Sequence, residues 1–166
     1  MSYGFHQHDE NGRGRQMYQK ILVPLDESKE SECVIDHVRV IAKGCSVPKV
    51  VLLRVVEPFP PAAANYLGDD KVVAAQKAAM RAAEEYLSYV SASFKNSCGG
   101  IEQVVIEGNP ADEILDYAKT HDIDLIAMTT HGRSGIARWS LGSVAERVMR
   151  HATAPVLTVS PASCQP

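Results

Sequence analysis

Short apolar, β-branched runs alternate with segments of helical period along this chain, and that alternation confines it to an α/β fold on a parallel sheet. The first run, ILVPLD at 21–26, reads as a buried strand ending on an acid. Ser28 then opens a helix as its N-cap, Val34, Val38 and Ile41 mark one face, and Gly44 is the expected stop. VVLLRVVEP at 50–58 is the second strand, closed by a proline, and a Pro- and Ala-rich connection spans 58–70. The spacing of Ala79, Ala83, Leu87, Val90 and Phe94 predicts a second helix over 71–95, which Gly99-Gly100 breaks. The third strand, IEQVVIEG at 101–108, alternates in polarity and so is expected to be less deeply buried. Asn109-Pro110 starts the third helix as cap and first helical residue, with Ile114, Leu115 and Ala118 toward the core. IDLIAMTT at 123–130 is the fourth strand, 131–142 a loop containing Gly and Ser, and Ser143 the start of the fourth helix. There Ser143 and Glu146 have the spacing of a capping box. APVLTVS at 154–160 is the fifth strand.

Strict alternation of this kind forms an open, doubly wound five-stranded parallel sheet with helices on both faces. With the chain starting in the middle, the strand order is 3-2-1-4-5, and strands one and four are neighbours where the order reverses. Ligands of such sheets bind outside the carboxyl ends of the strands at that point. Asp26 and the 129–143 loop therefore come to lie side by side. Residues 1–17 read as a polar, disordered leader, 18–162 as the folded domain and 163–166 as a tail.

Composition narrows the partners. A net charge of −3 gives no general case for nucleic acid or an anionic membrane surface. No apolar run nears the ~20 residues that span a bilayer, and the first residues lack the apolar stretch of a signal peptide, so the expected location is cytoplasmic. Cys33, Cys45, Cys98 and Cys164 lack CxxC spacing, and the histidines lack HxH or HExxH patterns. Reduced thiols and no structural metal are the expectation.

The chemistry concentrates in MTTHGRSGIARWSLGSVAERVMRH, 128–151. Gly132 and Gly135 suit a tight strand-to-helix loop, and Gly142 removes a side chain just before the helix, where free N–H groups and the helix dipole attract an anion. Ser143 has a hydroxyl that either caps its own helix or turns to a phosphate oxygen. Between His131 and His151, Arg133, Arg138, Arg147 and Arg150 stand against Glu146, a local +3. Each part alone has a plain structural explanation: turn glycines, a helix cap, a solvated helix face. Their conjunction at a strand terminus points to a phosphate-bearing ligand. The segment has no GK[ST] of a Walker loop, and strand one is not followed by GxGxxG.

From about Lys20 to Ser160 these segments resemble the universal stress protein family. ILVPLDESKES resembles its first strand and helix start, GNPADEILDYA the start of its third helix, and THGRSGIARWSLGSVAERVMRHATAPVLTV its C-terminal signature. The resemblance implies an adenine-nucleotide alpha-hydrolase-like fold and an ATP motif of Gly, two residues, Gly, nine residues, then Gly-Ser or Gly-Thr. Gly132, the nine residues from Arg133 to Leu141, and Gly142-Ser143 fit that motif, while Thr129 stands at its first glycine.

By the same resemblance, Asp26 lies near the ribose or a bound Mg ion. Pro24 and Leu25 line an adenine pocket with Val55, whose backbone reads the base edge. Gly132, Arg133, Gly142, Ser143 and Val144 offer N–H groups to phosphates. Met128, Thr129, His131 and Gly135 complete the candidate set, His131 as a loop-packing or phosphate-contacting residue. Family members pair the last strand with its copy in a second subunit, so strand 155–159 implies a homodimer; the alternative is cover by the chain's own tail. Tyr66 and Leu67 either close over the ligand or belong to an inert connector. The implied function is a homodimeric stress-response sensor or regulator that binds ATP, ADP or AMP and shows a protein partner a surface set by occupancy. A nucleotide-independent scaffold and a slow ATP hydrolase, with His131 as the near base, are the alternatives; no catalytic residue is assigned.

Overall fold

The structure, a computed structural model, describes residues 17–130 and 142–161. Its strands are β1 (Lys20–Pro24), β2 (Lys49–Val56), β3 (Ile101–Glu107), β4 (Leu125–Thr129) and β5 (Val156–Val159). Its helices are α1 (Lys29–Glu32), α2 (Val34–Gly44), α3 (Ala62–Leu67), α4 (Asp69–Ser91), α5 (Pro110–Thr120) and α6 (Ser143–His151). The strands are parallel and ordered β3-β2-β1-β4-β5, as the alternation requires. Most of the leader, the end of the tail and the loop residues 131–141 lie outside the described residues.

The two-residue period of the strands divides their side chains between two cores. Ile21, Val23, Val50, Leu52 and Ala127 pack with Val34 and Val38 of α2 and Leu87 and Val90 of α4. Leu22, Val51, Leu53, Ile126 and Met128 pack on the other face with Ile114 and Ala118 of α5 and Ala145 and Val148 of α6. Right-handed crossovers produce this split, because successive strands move one way from β1 to β3 and the other way from β4 to β5. Ile126 has no exposed surface and sits between β1 and β5. Ile126→Ala is expected to cost about 2–5 kcal/mol, seen as a lower urea midpoint with an unchanged slope.

Several elements depart from the sequence expectation for local reasons. Ser28 caps as expected, its hydroxyl accepting from the Ser31 N–H at 3.0 Å, but the helix it opens breaks at Cys33 into α1 and α2. Gly44 is the last residue of α2 and not its stop. The N–H groups of Cys45 and Val47 bond back to Ile41 and Ala42, and Ser46 between them takes the left-handed φ of 53°. The 58–70 connection contains α3, where three alanines follow Pro60-Pro61. Gly68 separates α3 from α4 at φ 85°, a conformation that favours glycine. Of the α4 stripe, Ala83, Leu87, Val90 and Phe94 are buried, Phe94 in a 3-10 turn at Ala92–Phe94, while Ala79 lies beyond the core. Leu115 is only partly buried and Tyr117 takes the deeper place on α5.

The capping box does not form. Gly142 is the N-cap of α6, with no side-chain cap bond, and Ser143 is the first helical residue. The first helical bond runs from the Glu146 N–H to the Gly142 carbonyl at 2.8 Å, which places the cap one residue earlier than the Ser-x-x-Glu spacing. No helix among the described residues is long and apolar enough to cross a membrane.

Candidate functional site

A cavity of about 470 Å³ opens at the carboxyl ends of β1, β2 and β4, where the strand order reverses. This is within the usual size of small-ligand sites. Nine of the residues singled out in the sequence line it: Pro24, Leu25 and Asp26 after β1, Val55 on β2, Met128 and Thr129 on β4, and Gly142, Ser143 and Val144 at the start of α6. His131, Gly132, Arg133 and Gly135 lie outside the described residues.

Backbone hydrogen bonds bring these pieces together. The Gly142 N–H donates to the Thr130 carbonyl at 2.8 Å, so the chain leaves β4 and starts α6 at one place. Thr130 is itself tied to β5 through Val159, at 3.0 Å. Ser143, Val144 and Ala145 occupy the first turn of α6, where N–H groups have no intrahelical acceptor, and all three line the cavity. Such a helix start favours an anion. The Ser143 hydroxyl, released from capping, makes no hydrogen bond among the described residues.

Asp26 is held by its own turn. Its Oδ1 accepts from the Ser28 N–H at 3.0 Å and from the Ser28 hydroxyl, while its N–H donates to Ser31 Oγ at 3.3 Å. The turn needs Glu27 at φ 69°. The carboxylate is thus fixed at the cavity wall rather than swinging in solvent. One carboxylate suits Mg²⁺, which binds through one or two carboxylates together with a ligand's phosphates. Among the described residues no group of His, Cys, Asp and Glu could hold a metal ion by itself.

The base of the cavity is apolar on the α5 side, where Leu53, Val55, Ile114 and Met128 pack together. Above them the end of β2 presents a backbone acceptor that β1 does not pair. The Leu53 carbonyl receives the Leu25 N–H at 2.9 Å, and Val55, two residues on, faces the same way. The paired register of β1 ends at Pro24, opposite Leu53, so no β1 residue pairs with Val55. Arg54 supplies a partner: its Nη1 donates to the Val55 carbonyl, and its Nε donates to Glu27 Oε1 at 3.0 Å. The Arg54 side chain is 13% exposed.

Arg54, Glu57 and Ala79 are lining residues that the sequence reading missed. Arg54 had a legible signal, being the one charge inside the apolar run of β2. Ala79 had none, because its place in a helical stripe is that of a core residue.

The chain matches the model of the universal stress protein family over residues 17–160. Universal stress protein MJ0531 of Methanocaldococcus jannaschii is 34% identical over 146 residues, covering 88% of this chain and 84% of that one. The solved structure of MJ0577, from the same organism, superposes with a TM-score of 0.76 at 25% identity, over 87% of this chain and 96% of the other. A universal stress protein solved in complex with cAMP superposes with a TM-score of 0.56 at 26% identity, over 87% and 98% of the two chains. Family model, curated relatives and fold agree along almost the whole length, and the chain belongs to the universal stress protein family.

Proposed function

We propose that this chain is a cytoplasmic nucleotide-binding regulator of the stress response, with ATP as the ligand its Gly132 and Gly142-Ser143 elements fit and ADP and AMP as related occupants. The observation that carries this reading is the junction of one cavity with the open first turn of α6, in a family with a member solved in complex with cAMP. The apolar wall at Leu53, Val55 and Ile114 accepts the base, Asp26 the ribose or a phosphate-bound Mg²⁺, and the Gly142–Val144 turn the phosphates. Two such chains pair through strand 155–159. Occupancy, not turnover, is the signal: bound nucleotide changes the surface offered to a protein partner. Phe59, Tyr66 and Leu67, exposed around α3, are apolar groups on the same connection as the cavity's Glu57.

Trp139 is the sole tryptophan and belongs to the loop, so its fluorescence reports ligand arrival. Titration with ATP, ADP and AMP is expected to give saturable changes, and protein purified without added nucleotide to release adenine nucleotide on denaturation. No saturable change and no released nucleotide would leave a nucleotide-independent dimeric scaffold. That second reading has an observation of its own, since Thr129, 6% exposed, lines the cavity where the motif has a glycine. Multiple-turnover phosphate release abolished by His131→Ala would instead establish a slow hydrolase.

A further inference from the structure

We propose that Arg54 sets the base preference of the cavity, adding donors to its Val55 edge so that the site admits 6-oxopurine as well as 6-aminopurine nucleotides. This rests on the nucleotide reading above and specifies which bases the site takes. A strand-end carbonyl such as that of Val55 accepts a hydrogen bond, and left bare it matches the 6-amino group of adenine. Here the Arg54 guanidinium already donates to that carbonyl.

The guanidinium is not a passing neighbour. Glu27 Oε1 holds Nε at 3.0 Å, and Glu27 is itself fixed in the turn that follows Asp26. The Arg54 side chain is mostly buried, at 13% exposed, while Glu27 holds it from the surface side at 31%. A guanidinium carries five N–H donors and no acceptor, so the N–H groups Arg54 has left can only donate. Arg54 lines the cavity beside Val55. A purine edge carrying O6 and N7 offers two acceptors, the pattern a guanidinium pairs with; adenine offers N7 and a 6-amino donor. Adenine's amino group therefore gains the Val55 carbonyl only by displacing or sharing with Arg54.

Inosine triphosphate and ATP isolate the effect, since both carry the same sugar and phosphates and differ in the base at the N1–C6 edge. Calorimetric titration of the intact chain is expected to show ITP bound at least as tightly as ATP. Arg54→Met keeps the length and apolar stem of the side chain and removes the donors. It is expected to tighten ATP and weaken ITP, each about tenfold, the scale of one hydrogen bond to a charged group. Glu27→Gln, which loosens the clamp without emptying the cavity, is expected to move the ATP-to-ITP ratio the same way by less. It tests the idea independently should Arg54→Met not fold. If both nucleotides bind and the ratio stays within about twofold in both variants, on a scale where the hydrogen bond predicts much more, Arg54 does not set the preference. If neither nucleotide binds the wild-type chain, the nucleotide reading falls and this proposal with it.

Discussion

Gly142→Val is expected to lower nucleotide affinity by about a hundredfold, near the ~3 kcal/mol upper end of the usual cost of crowding a filled site. The reason lies in side-chain bulk and not in backbone strain. Gly142 has φ −62° and ψ 144°, which every residue adopts, so valine is compatible with the fold. As N-cap it makes no side-chain hydrogen bond that substitution would remove. Its missing side chain matters because it lines the cavity directly before the free N–H groups of Ser143, Val144 and Ala145. Calorimetry with ATP measures the loss, and denaturant unfolding should show near-normal stability. Normal affinity in a folded Gly142→Val chain would place the phosphates somewhere other than the start of α6.

How much of this was legible in the sequence differs between fold and site. The sheet order followed from the alternation because helix and strand periods are local, and right-handed crossovers leave few ways to close them. The finer boundaries did not follow. Ser46, not Gly44, turns left-handed because tertiary placement of Val47 decides where α2 ends. Ser143 looked like a cap because its spacing to Glu146 fits a capping box, yet Gly142, tied to Thr130, takes the cap one residue earlier. In the site, residues near glycines and strand ends were readable since those positions carry turn chemistry. Arg54 was not read, although an arginine inside an apolar strand requires a partner. Its partners, Glu27 and the Val55 carbonyl, become visible only when β1 turns away and leaves that carbonyl uncovered.

The outer edge of β5 gives the second large expectation: Thr158→Pro should convert the proposed homodimer to a monomer, halving the mass found by sedimentation. β5 ends the sheet, and Val156, Leu157 and Thr158 are only partly buried in the single chain. The Pro155 carbonyl accepts from Ile126 at 2.9 Å and the Val159 carbonyl from Thr130 at 3.0 Å, so odd-numbered residues here face β4. The N–H groups of Val156 and Thr158 accordingly point outward, where a second copy would pair with them. Proline at 158 removes one outward donor while the inward ladder keeps its partners, and an edge strand tolerates it. Nucleotide binding should survive, because no lining residue of the cavity comes from β5. A Thr158→Pro chain that still sediments as a dimer would move the subunit contact to another surface. A wild-type chain that is monomeric would leave this edge to be covered by the chain itself.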